Sequence, residues 1–316
     1  KRIIQAKENK ESLKSNLEKE FNRLEKMNAK VITIWDDEYP PLLDKIYDPP
    51  LVLYMLGNFT EEYNYSIAIV GTRQPTNYGK IQAEKFATEL ASQNIPIISG
   101  LARGVDSIAH RAVLKTNGKT VAVLGSGLDV IYPPENRKLF EDIAEKGVII
   151  SEYELGTKPD AQNFPRRNRI IAGLSVGILV VETDINGGAM LTANIAFDQN
   201  RNIFAIPGNI GIPQANGTNL LIKRDEAKLV QSVDDILFEL ETELKPILGQ
   251  KSPQPIVELN IFEEKILSCF NNNESLHIDS IAHLTSLSVS DCLVYLLSLE
   301  FKGLIKQLPG KMFARL

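Results

Sequence analysis

Residues 66–86, SIAIVGTRQPTNYGKIQAEKF, decide the fold. SIAIV is a short β-branched, apolar run that stops at a glycine. GTRQPTNYG is a turn-rich loop, and a helical pattern begins near Tyr78. Strand, glycine-bearing turn and helix in that order form the repeating unit of a parallel sheet. In such a turn the backbone amides approach an oxygen-rich ligand, and the helix N-terminus adds its positive dipole end. Gly71, Thr72 and Arg73 are therefore a candidate phosphate cradle, and a simple turn with a solvated Arg73 is the equally open alternative.

The same pattern recurs downstream. IPIIS, TVAVL, VIISEY, VGILVVE and NIFAIP read as further strands, each followed by a polar or glycine-bearing loop and most then by a helical stretch. This predicts an α/β domain with an extended Rossmann-like, doubly wound, mostly parallel sheet. Ligands of such sheets bind outside the carboxyl ends of the strands, so the loops should share one rim. Upstream, VITIWDDEYPPLLDKIYDPPLVLYMLGN predicts a strand, a short helix opened by Pro40 and Pro41, and a second strand that extends the sheet. The expected organisation is a helical segment at 1–28, the sheet domain at 29–242, a proline-bearing linker at 243–256 and a small module at 257–316. Three helical patterns and a hairpin around Pro309 and Gly310 make that module winged-helix-like.

One motif on the rim demands a partner. FPRRNR, at 164–169, places three arginines at the front of a predicted helix, where each uncompensated cation costs roughly 0.3–1 kcal/mol against the macrodipole. Residues 158–169 carry four basic groups and one acid. In one reading Arg166, Arg167 and Arg169 pair with carboxylates such as Asp160, Glu152 or Glu182. In the other they meet phosphate oxygens, while Phe164 offers its ring to a base. The residues alone leave both open. Gly187 and Gly188, in ETDINGGAM before a helix, form a second candidate anion nest.

Composition narrows the classes. The chain has 316 residues, a net charge of −5 and a pI near 5.5, which argues against nucleic-acid binding over the whole surface but permits a local basic cleft. No apolar run reaches the roughly 18 residues of a membrane span, and a cytoplasmic location is expected. Two cysteines, Cys269 and Cys292, cannot build a disulfide framework. Neither do they share metal-ligand spacing with His277 and His283, so core cysteines are expected. GKT at 118–120 lacks the preceding P-loop glycine. GSGLDV lacks the third glycine of a dinucleotide fingerprint, and Pro133 and Pro134 interrupt the helix that should follow. Ser99, Asp106 and His110 suggest a nucleophile and base, for which a structural acid and a packed histidine are the favoured alternative. The predicted last helix of the C-terminal module, SVSDCLVYLLSLEF, offers no base-reading Arg, Asn or Gln, and its stripe Leu293, Leu296, Leu297 is expected to be core.

GTRQPTNYG, SGLARGVDSIAH, GSGLDVIYPPEN, SEYELGTKP, FPRRNRIIAGLS, VVETDINGGAMLTA, FAIPGN and NGTNLLI, in this order, resemble the DNA-processing protein A family, also called DprA or Smf. The resemblance implies a recombination mediator that binds and protects single-stranded DNA and helps load the RecA recombinase, notably in natural transformation. It implies a homodimer and no enzyme, with no cofactor, metal or catalytic residue. The expected nucleic-acid-binding residues are Gly71, Thr72, Arg73, Lys80, Phe164, Arg167, Asn168, Arg169, Gly187 and Gly188. The rival expectation is a nucleotide-binding or phosphoribohydrolase-type enzyme on a lysine-decarboxylase-like scaffold, with Glu182 acting on an N-glycosidic bond.

Overall fold

A computed structural model describes residues 17–248, 259–270, 275–302, 304–308 and 310–315. Residues 1–16 of the expected N-terminal segment, 249–256 of the expected linker, and Pro309 lie outside the described residues. The chain divides into two compact units, Lys1–Pro253 and Gln254–Leu316.

The first unit is built on nine strands in the order β1-β2-β6-β5-β4-β3-β7-β8-β9. The parallel body comprises β3 (Ile67–Val70), β4 (Ile97–Ser99), β5 (Thr120–Leu124), β6 (Val148–Ser151), β7 (Gly177–Val180), β8 (Asn202–Ala205) and the short β9 (Lys228–Leu229). All four residues of β3, and all of β5, β6 and β7, are buried. That is why these strands read as unbroken apolar runs, since a parallel sheet is covered on both faces. The predicted upstream strands β1 (Ala29–Thr33) and β2 (Val52–Gly57), with helix α2 (Pro41–Asp44) between them, extend the sheet antiparallel against β6.

Helices cover both faces. On one side α3 (Asn77–Ser92), α4 (Val105–Lys115) and α9 (Val233–Glu239) bury Phe86, Leu90, Val113 and Ile236 against the sheet. On the other, α6 (Asn163–Gly173) and α7 (Gly188–Asp198) bury Ile170, Ile171, Ala193 and Ala196. Helix α1, residues 17–26, seals the β2–β6 end with Leu24, and α5 (Arg137–Lys146) packs there too. Helix α8 (Pro213–Lys223) follows β8.

The expected linker begins later than 243, because Glu241–Leu248 forms a helix, α10, whose Leu244 is fully buried in the sheet domain's core. Pro246 does not break it, since a proline in a short terminal helix removes few ladder bonds.

The second unit holds α11 (Ile261–Leu267), α12 (Ile278–Thr285) and α13 (Val289–Phe301) with a three-stranded sheet, β10 (Ser275–His277), β12 (Met312–Arg315) and β11 (Ile305–Leu308), in that spatial order. Three helices and the hairpin were legible; β10, only three residues long, was not. Cys292 is buried beside Thr285, 3.6 Å from its hydroxyl, which is the expected core placement.

Among the described residues no single helix is long and apolar enough to cross a membrane.

Candidate nucleic-acid interface

Strands β3 to β6 are laid down in one direction across the sheet, and β7 to β9 in the other. The order therefore reverses between β3 and β7, the point where open α/β sheets form a crevice. A cleft of about 500 Å³ lies there. Gly71, Thr72 and Arg73 line it from the β3 loop, Phe164, Arg167 and Asn168 from α6, and Gly187 and Gly188 from the front of α7. Lys80 and Arg169 do not line it. Lys80 is exposed on α3.

A single buried acid shapes the first loop. Glu182, just beyond β7, accepts from the Thr76 amide at 2.8 Å and the Thr76 hydroxyl at 2.6 Å, and its backbone oxygen accepts from the Thr72 amide at 2.7 Å. Thr76 in turn caps α3 by accepting from the Gly79 amide at 3.2 Å. A side chain at position 79 would overlap the Glu182 carboxylate, so glycine in the first turn is what lets the acid reach under the helix. Glu182 is thus a clamp on the β3 loop, and the geometry gives the phosphoribohydrolase reading no support.

The arginines of FPRRNR separate into different environments. Arg167 is only 4% exposed and forms the cleft's floor. Its guanidinium donates to the Gly100 carbonyl at 2.7 Å, to the Val123 carbonyl, and to the Asn168 side chain at 3.2 Å. These acceptors terminate β4 and lie in β5, so Arg167 ties α6 to the strand ends. Burial lowers its pKa to about 10, which leaves it charged at neutral pH, and buried Asp106 partly offsets that loss. Burial pushes the Asp106 carboxyl upward against the pull of Arg167 and two loop amides, Gly100 at 3.1 Å and Ala102 at 3.4 Å.

Arg169 points out of the cleft to Glu152 and to Asp48, whose carboxylate lies 3.4 Å away. For this arginine the intramolecular pairing considered from the sequence is the one present. Arg73 differs from both: it is exposed, lies over the Phe164 ring at 5.6 Å, and makes no ion pair among the described residues. Arg166 is likewise exposed.

Phe164 stands between the cations. Arg73 and Arg167 approach its ring at 5.6 and 6.0 Å, and Tyr132 packs at 5.7 Å with the ring planes tilted by 42°. Gly187 uses its own amide on the Asp184 carbonyl at 2.9 Å, so the amides left for a ligand come from the turn that follows it. Asp106, Gln74, Thr183 and Asp184 also line the cleft. The sequence had singled out Asp106 only as a hydrolytic candidate, and burial beside an arginine is invisible in its spacing.

That hydrolytic constellation is not assembled. Ser99 donates to the Ile69 carbonyl at 2.7 Å, and His110 Nδ1 lies 2.7 Å from the Thr120 hydroxyl. Burial, with Arg167 and Arg111 nearby, drives the His110 pKa down to about 3 and keeps the ring neutral.

In the second unit the expected core stripe on α13 is split. Leu296 is fully buried with Cys292 and Leu299, whereas Leu293 and Leu297 are 48% and 52% exposed. Each residue turns a helix by about 100°, so one step carries a side chain from the core to the rim of the buried arc.

A doubly wound α/β domain with a cationic, aromatic cleft at its switch point, followed by a winged helix, defines a narrow class of proteins. The sequence profile described as DNA recombination-mediator protein A matches residues 30–241, and the DprA winged helix domain matches residues 250–311. The chain is 38% identical to Protein Smf of Synechocystis over 91% of its own length and 80% of that protein's. It is 40% identical to DNA processing protein DprA of Streptococcus pneumoniae, over 72% and 78% respectively. The crystal structure of the S. pneumoniae protein superposes with a TM-score of 0.66 at 39% identity, covering 72% of this chain and 77% of that one. DNA processing protein A from Helicobacter pylori, described for its single-stranded DNA binding mode, superposes with a TM-score of 0.61 at 31% identity, covering 68% and 96%. The chain belongs to the DNA recombination-mediator protein A family, DprA/Smf.

Proposed function

We propose that this chain binds single-stranded DNA in the switch-point cleft, shields it, and helps load the RecA recombinase onto it, as in natural transformation. The observation that carries the reading is Arg73: an exposed guanidinium beside an aromatic ring at the mouth of the cleft, with no carboxylate paired to it among the described residues. Its relative in Helicobacter pylori, described as binding single-stranded DNA, supports the ligand class.

Arg73 and the first-turn amides of α7 hold phosphates, Thr72 and Asn168 add polar contacts, and Phe164 stacks on a base. Arg167 supplies charge from below and keeps the floor in place. Lys80 and Arg169 stand outside this footprint. The protein acts as a homodimer in the cytoplasm. It acts by binding and not by catalysis.

The test is a salt titration of binding to a labelled oligothymidine, repeated with duplex competitor. Affinity should fall by about 0.7 logarithmic units per tenfold rise in salt for each phosphate contacted, and duplex should compete poorly. Arg73→Ala should flatten that slope by about one phosphate's share while leaving stability within about 0.5 kcal/mol of the parent. Unchanged slope and affinity would remove Arg73 from the footprint. Release of free base from nucleoside monophosphates would favour the enzyme reading instead.

A further inference from the structure

The β3 loop serves two clefts. Residues 71–74 line the cationic one, and residues 76–78 line a second cleft of about 550 Å³ that reaches the loop after β8. We propose that this second cleft is a nucleobase subsite for the same strand, with Tyr78 as its stacking ring and Asn209 as its polar edge. The proposal rests on the single-strand reading above.

Its walls are already set. The Tyr78 hydroxyl donates to the Pro207 carbonyl at 3.0 Å, which fixes the ring between the front of α3 and the loop after β8. The Asn219 side chain holds Gly208 from both sides, accepting from its amide at 3.1 Å and donating to its carbonyl at 2.9 Å. Tyr78 nevertheless remains 43% exposed, so an anchored ring keeps surface available for a ligand. A platform held in place before binding loses little freedom when a base settles on it.

The chemistry of the lining selects the base and rejects the phosphate. No lysine or arginine is among the described residues that line this cleft, and the one charged residue among them, Glu182, is an acid. An anionic backbone gains nothing there. A base has a π-face for Tyr78 and N–H groups for the exposed Asn209 amide oxygen. The neighbouring cleft sets the Arg73 and Arg167 guanidinium groups beside Asp106 and Asp184, so it alone of the two offers cations to a phosphate. Phosphate contacts on one side and a base platform on the other, joined by one short loop, suit a strand that passes over the α3 N-terminus.

The test uses the full chain with a 5-iodouracil-substituted oligothymidine and with plain oligothymidine. On irradiation the native protein should crosslink through the peptide carrying Tyr78. Tyr78→Ala should bind plain oligothymidine about fivefold more weakly or worse, as expected for one lost stack, with an unchanged salt slope. Asn209→Ala should weaken binding in the same slope-neutral way. Crosslinks confined to the Phe164 peptide, or Tyr78→Ala affinity within twofold of the parent, would overturn the subsite. If Tyr78→Ala fails to fold, the crosslink on the native chain decides alone. Native protein that shows no salt-dependent binding to oligothymidine would instead sink the single-strand reading itself.

Discussion

Helices α6 and α13 each occupy a place where a nucleic-acid reader is expected, and they are built from opposite materials. Helix α6 opens on Phe164, Arg167 and Asn168, all lining a cleft. Helix α13 opens with Asp291 in its first turn and turns Val289, Leu293 and Leu297 to solvent. The whole C-terminal module from Pro253 carries five Lys or Arg against seven Asp or Glu. A polyanion finds cations and a ring at the first helix, but an acid and aliphatic side chains at the second. Winged-helix architecture by itself therefore says little about DNA here; the side chains on the presented face decide.

The sharpest way to break this contrast is Arg167→Ala. It strips the partner from two strand-end carbonyls and removes the buried cation that, with two loop amides, offsets the Asp106 carboxylate, so unfolding in urea should show a loss of about 3–5 kcal/mol. A loss below about 1 kcal/mol would mean that α6 is tied down by something else.

Acid should expose the same difference. His110 is buried with its folded pKa depressed from 6.5 to about 3, so its contribution to stability is complete above pH 6.5 and is lost as pH falls toward 3. The sheet domain should weaken over that window by up to about 1.4 kcal/mol per pH unit, and His110→Asn should be flatter. Parallel profiles for His110→Asn and the parent would refute the assignment.

Phe164→Ala should reduce oligothymidine affinity by about 1–3 kcal/mol without altering the salt slope, because a stack and not a phosphate contact is lost. A changed slope would show that the ring works by positioning Arg73. The smallest effect belongs to Leu293→Glu on α13. Stability and oligothymidine affinity should stay within about 0.5 kcal/mol of the parent. A drop in DNA affinity would bring α13 back as a reader.

Much of this arrangement was legible in advance. Strands buried on both faces, such as Ile67–Val70 and Gly177–Val180, leave continuous apolar runs, and the glycine-bearing loops that follow them must gather at one rim. Cleft membership of Arg73, Phe164 and Gly188 follows from that logic. The separate fates of Arg167 and Arg169 do not. Two residues apart on a helix differ by about 200° in direction, so one points into the strand ends and the other toward Glu152 and Asp48. The phase of α13 was missed similarly, because Leu293, Leu296 and Leu297 are equally apolar in sequence and only packing tells which are covered.

The amino-acid sequence by itself determined the α/β layering, the rim that gathers the loops, and the family, because hydrophobic period and glycine placement are local properties of the chain. Tertiary structure alone decided which cations stay unpaired and which carboxylate clamps the β3 loop. Charge pairing depends on distances between residues that the chain brings together from far apart, and no local pattern encodes them.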